Sequence, residues 1–219
     1  MEVDSRRAFV CQAHSIVYAR CRTVLGGHVT VYIGIDQSLA ATGIAVVTKR
    51  KTHEGVLIER ALYTECVITE ATSDKLRKRI KVSKAEDDGE RIDKIARELI
   101  SVINCAKNDL GPGEPLRVAC EAPSGSQDAR AAKAMGMAYA VVRSVFYACG
   151  IEFEVITARD AKKAFVGVPD ASKDEVVARA TDLYGVSVTH VGKKKRTKVE
   201  REAISDALAI VAALMEMHP

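Results

Sequence analysis

Apolar and polar positions along the chain fall into short blocks that change period from two to nearly four and back. Val29–Ile35 is apolar apart from Thr30 and Gly34 and rich in β-branched residues, the pattern of a strand covered on both faces. It ends on Asp36; Gln37–Ala41 is small and polar, and Thr42–Val47 is apolar again, which predicts strand, tight connection, strand. Gly55–Ile68 alternates around Val56, Ile58, Ala61, Tyr63 and Val67, a third strand reached through a turn containing Lys49–Lys51 and Glu54-Gly55. Residues 69–90 are polar and charged without apolar periodicity. Glu90–Cys105 then sets Ile92, Ile95, Ala96, Leu99, Ile100, Val102 and Ile103 at helical spacing, and Asn108–Pro115 is a Gly/Pro turn.

The second half repeats the alternation of strand and helix. Leu116–Glu121 is a short apolar strand closing on a carboxylate. Gln127–Cys149, rich in Ala, Met and Val, predicts a long helix. Gly136 inside it costs about 1 kcal/mol relative to Ala, so a close packing or ligand contact is expected there. Ile151–Ile156 is a fifth strand; Thr157–Phe165 is a short helix with a Thr cap; Ser172 caps another over Lys173–Tyr184. His190–Lys198 is a basic loop, and the last helix, Val199–Met217, carries Ile204, Leu208, Val211 and Met215 on one stripe with Ala207, Ile210 and Leu214 beside it. The succession of elements predicts an α/β fold.

Bulk properties narrow this only slightly. The 219 residues are 47% hydrophobic and 28% charged with a net charge of +4, ordinary for a soluble globular chain able to bury a core. The six cysteines form no CxxC pair, which suits reduced thiols and a cytoplasmic setting, and no apolar run reaches the ~20 residues that span a bilayer. Residues 1–28 differ from the rest: Arg6, Arg7, Arg20 and Arg22 alternate with short apolar pieces before Gly26-Gly27. Glu2 and Asp4 count against an organellar leader, so 1–28 is read as an extension and 29–219 as the folded unit.

The chemistry lies in the acids. Asp36 ends the first strand, where it either opens a turn or stands where open α/β sheets place ligands. Glu121 ends another strand, and Asp206 is the only charge between Glu202 and Glu216 on the last helix. A carboxylate on such a face costs several kcal/mol unless it is paired or bound to metal. Glu202 lies one turn earlier, and two carboxylates that close call for a cation. Oxygen-only ligands of this kind suit Mg²⁺ or Mn²⁺. No HxxxH, Cys cluster or GxxxxGK[ST] loop competes with them. Two basic clusters, 75–84 and 193–201, are either solvated loops or contacts for a polyanion.

These residues resemble the RuvC-type Holliday-junction resolvases of the RNase H-like superfamily. The likeness runs through Gly34, Asp36, Thr42 and Gly43 in GIDQSLAATGIAVV, then Glu121, Gln127 and Met135–Ala138. It continues through Lys162, Gly167, Ala171 and Lys173 in KKAFVGVPDASKDEVV, and ends at Asp206-Ala207-Leu208-Ala209. It covers about residues 30–215. The family places an acid or His three residues before the last Asp; here that position is Ala203, so Glu202 stands in as fourth ligand, or the site runs on three acids alone.

The resemblance implies an RNase H-like fold, a five-stranded mixed sheet with helices on both faces. It also implies a crossover junction endonuclease that cuts four-way DNA junctions in pairs as a homodimer. Two metal ions would bracket the scissile phosphate on Asp36, Glu121, Asp206 and Glu202. Lys162, Lys163 and Lys173, with Lys194, Lys195 and Arg196 of the second basic cluster, would meet DNA phosphates. The helix 127–149 is either the dimer interface or ordinary core. The competing readings are a related nuclease for other branched DNA or hybrids, and a non-catalytic junction-binding protein. An actin or sugar-kinase type ATPase shares the opening Gly-x-Asp, but 219 residues do not hold its two lobes.

Overall fold

A computed structural model of the chain describes residues 29–51, 57–111, 113–125 and 127–219. The expected extension 1–28 and turn residues 52–56 lie outside them. The central sheet has the order β3-β2-β1-β4-β5, with β1 Val29–Asp36, β2 Ala41–Lys51, β3 Leu57–Ile68, β4 Leu116–Glu121 and β5 Glu154–Ile156. β1 runs antiparallel to β2 and parallel to β4, and β4 parallel to β5, so the sheet is mixed.

The period of two along β1 divides the core. Val31, Ile33 and Ile35 face α2 (Lys84–Asp109) and α3 (Ala129–Ala148), where Ile95, Leu99, Ile103, Val142 and Phe146 meet them. Tyr32, Gly34 and Asp36 point to the other face. That face is covered by α7 (Lys198–Met217), with α4 (Ala158–Val166) and α5 (Lys173–Tyr184) outside it. Helices therefore cover both faces, as expected.

α7 lies unusually close to the sheet because β1 and β2 present glycines beneath it. A Cβ on Gly34 would collide with the carbonyl oxygen of Ala207, and one on Gly43 with that of Ala203. The turn between these strands is held by Thr42, whose buried hydroxyl donates to the Ser38 carbonyl at 2.7 Å.

Several elements differ from expectation. The polar stretch 69–90 contains a helix, α1 (Asp74–Ile80), and α2 starts at Lys84 rather than Glu90. α1 buries none of its residues, so no apolar period marks it. The start of α2 is set by a capping box, Ser83 with Glu86, and not by its apolar stripe. The basic loop, preceded by a one-turn helix α6 (Val186–Thr189), is a hairpin, β6 (His190–Val191) and β7 (Lys194–Lys195), turned on Gly192 at φ 57°. β5 is shorter than predicted. The expectation for Gly136 fails within this chain: it is exposed, and a Cβ there would meet nothing within 4 Å.

Candidate active site

Pairing of Ile35 with Cys120 in the parallel β1–β4 ladder sets the next residues, Asp36 and Glu121, side by side at the C-terminal edge of the sheet. Alternation sends both side chains to the face that α7 covers. Asp206 comes down from α7 between Ala203 and Ala207, the two residues seated over Gly43 and Gly34. The close helix approach and the convergence of three acids are thus one feature.

Their electrostatics follow from the proximity. Burial first, then the charges of Glu121 and Asp206, hold the Asp36 carboxyl well above the ordinary carboxylate range, and it shares a hydrogen bond with Glu121. Burial and the neighbouring Asp206 raise Glu121 as well. Asp206 is raised chiefly by burial, against the opposing pull of Lys173 and Lys162. Burial together with mutual repulsion thus disfavours full ionisation of the Asp36–Glu121 pair.

Two lysines lie within electrostatic reach of the acids. Lys173 is the first residue of α5, whose start is fixed by the Ser172–Glu175 capping box. Burial alone would lower its ammonium pKa, but Asp206 and Glu202 outweigh that and raise it. Lys162, on α4, is within electrostatic reach of Glu121 and Asp206. Glu202 lies one turn before Asp206 and its charge reaches that carboxyl, while its own carboxylate lies 3.3 Å from Lys173 and 3.6 Å from Lys198.

Among the described residues, no three Asp, Glu, His or Cys side chains yet lie as close as the ligands of one ion. The donor chemistry nonetheless fits a hard divalent cation. Asp36, Glu121 and Asp206 offer only oxygens and repel one another, a repulsion that a cation among them would relieve. Gln37, which sequence reasoning passed over, is tied to the same strand end: its amide donates to the Glu121 carbonyl at 2.5 Å while Oε1 is buried without a partner. Its position directly after Asp36 was the available signal.

The outer cations divide into two groups. Lys163, Lys194 and Lys195 are exposed. Arg196 is not: it is 6% exposed, and its guanidinium donates to the Thr64 carbonyl at 2.6 Å and the His190 carbonyl at 3.2 Å, beside Glu65. It anchors the hairpin to β3 and is withdrawn from DNA, which corrects the expectation for this residue.

No family model matches the chain, and neither does any curated protein. Solved structures do match. Thermus thermophilus RuvC aligns over 84% of this chain and 92% of its own at 22% identity, with a TM-score of 0.56 alone and 0.55 in complex with Holliday junction substrate. The yeast mitochondrial Holliday junction resolvase Ydc2 aligns over 95% of this chain and 92% of its own at 11% identity and a TM-score of 0.46. The five-stranded mixed sheet, clothed on both faces, shares its fold with T. thermophilus RuvC.

Proposed function

We propose that the protein is a metal-dependent endonuclease that resolves four-way DNA junctions by paired phosphodiester cleavage, acting as a homodimer. The observation that carries this reading is the convergence of Asp36 and Glu121, at neighbouring strand ends, with Asp206 on the closely seated α7, within electrostatic reach of Lys173 and Lys162. Asp36, Glu121 and Asp206 would hold the cation, Mg²⁺ or Mn²⁺, in one or two copies. Bound there it would polarise the phosphoryl oxygens and lower the pKa of attacking water. Lys173 and Lys162 would neutralise the phosphate being cut and orient it over the carboxylates. Gln37 Oε1 offers an acceptor for a water proton. Lys163, Lys194 and Lys195 would position the strand without reading its sequence.

The solved RuvC bound to Holliday junction substrate supports branched DNA as the ligand. The dimer reading draws on α3. Its Ala132, Gly136, Ala140, Ser144 and Ala148 recur every fourth position, and all are exposed. A second copy could approach this stripe closely, which gives Gly136 a reason its own chain does not supply.

The test is incubation of a labelled synthetic four-way junction with the protein in Mg²⁺ or Mn²⁺, beside Asp36→Asn and Asp206→Asn. Symmetric nicks made by the wild type alone support the reading. Tight junction binding without nicks in either metal overturns it in favour of a binding protein.

A further inference from the structure

We propose a second DNA-binding site, a cleft for backbone phosphates between α1 and the N-terminal ends of α2 and α3. It lies on the sheet face opposite the acids, and it rests on the nuclease reading only for the identity of the DNA. The cleft holds about 500 Å³, and Arg77, Lys84, Arg91, Arg130 and Lys133 line it against Asp74, Asp87 and Asp88.

The carboxylates are already accounted for. Asp88 lies between Arg91 at 3.3 Å and Lys133 at 3.6 Å. Asp87 accepts from the Thr72 amide at 3.2 Å, and Asp74 pairs with Arg77. Lys84 and Arg130 are both exposed, and among the described residues neither forms an ion pair. Both sit in the first turn of a helix, where the backbone dipole disfavours a cation. Lys173 and Lys198 occupy the same position on their helices, but each is paired with Glu202. Two cations without ion-pair partners on a net-positive pocket make an anion site, and the anion that fits an open cleft of this size is a phosphodiester.

Position ties the cleft to the acids. Leu39 in its wall follows Asp36 by three residues, so their backbones are at most about 10 Å apart. That is the rise of about three nucleotides in one strand. Arg91 fixes this wall, donating to the Leu39 carbonyl at 3.1 Å and to Thr69 Oγ1 at 3.2 Å. A strand leaving the acids over the β1–β2 turn would enter the cleft.

The experiment is junction binding by the full chain, carrying Asp206→Asn to prevent cutting, as a function of salt. Lys84→Ala/Arg130→Ala should lower affinity at least tenfold and reduce the log–log salt slope by about 1–2. Lys75→Ala/Arg79→Ala removes the same charge from exposed positions of α1 outside the cleft, and should change affinity less than threefold. Equal losses from both pairs, or no loss from the first, overturn the cleft. Nicking by the wild type, scored in parallel, separates the two readings: nicking with unaltered binding by the cleft pair rejects the cleft and keeps the nuclease. Weakened binding without wild-type nicking keeps the cleft and rejects the nuclease.

Discussion

The carbonyl oxygen of Ala207 occupies the space that a Cβ on Gly34 would need. One helical position earlier, Asp206 is set against Asp36, which is two residues from Gly34 on the same strand face. Gly34→Ala should therefore force α7 off the sheet, costing roughly 3 kcal/mol, the upper end for overpacking. It should also abolish nicking by drawing Asp206 away. Thermal unfolding and the junction assay on the one variant check both. An unaltered melting temperature would show that the helix moves without cost.

The three acids were legible because strand ends and an isolated charge in an apolar run are sequence features. What brings them together was only half legible: the Gly34 and Gly43 positions could be read, but not the helix that rests on them. α1 could not be read, since it has no buried side to leave a period. Arg196 could not be separated from Lys194 and Lys195, its neighbours in one basic run, because only its tertiary partners Thr64 and Glu65 distinguish it.

That distinction is testable. Arg196→Ala should lower stability by about 2–4 kcal/mol, since it leaves the Thr64 carbonyl and the Glu65 carboxylate without their partner. Lys194→Ala/Lys195→Ala should leave the melting temperature within a degree or two but weaken junction binding and its salt dependence. Denaturant unfolding and salt-titrated binding separate the roles.

The raised carboxyl pKa of Asp36 has a definite sign in stability. The native state holds the proton more tightly than the unfolded chain. The stabilisation is thus complete below the unfolded pKa of about 4 and is lost as pH rises through the higher native value. In metal-free buffer, this group's contribution falls from acid toward neutral pH. Asp36→Asn should remove that dependence and melt higher than the wild type at neutral pH. Melting curves across the range, with chelator present, give the comparison.

Substitution of Gly136 by Gln should leave the isolated chain folded, because nothing lies within 4 Å of its missing Cβ, and should split the proposed dimer. Sedimentation equilibrium reads the change. By contrast, Gly89→Ala, at a helical position of α2 with equally open surroundings, should simply stabilise the fold by about 0.5–1 kcal/mol.

Titration of the metal-free protein with Mn²⁺ by calorimetry near neutral pH, in buffers of different ionisation enthalpy, tests the central claim most directly. Binding accompanied by proton release, lost in Asp36→Asn and in Asp206→Asn, is the expected result. Uptake that is unchanged in both variants, or no uptake by the wild type, would contradict it.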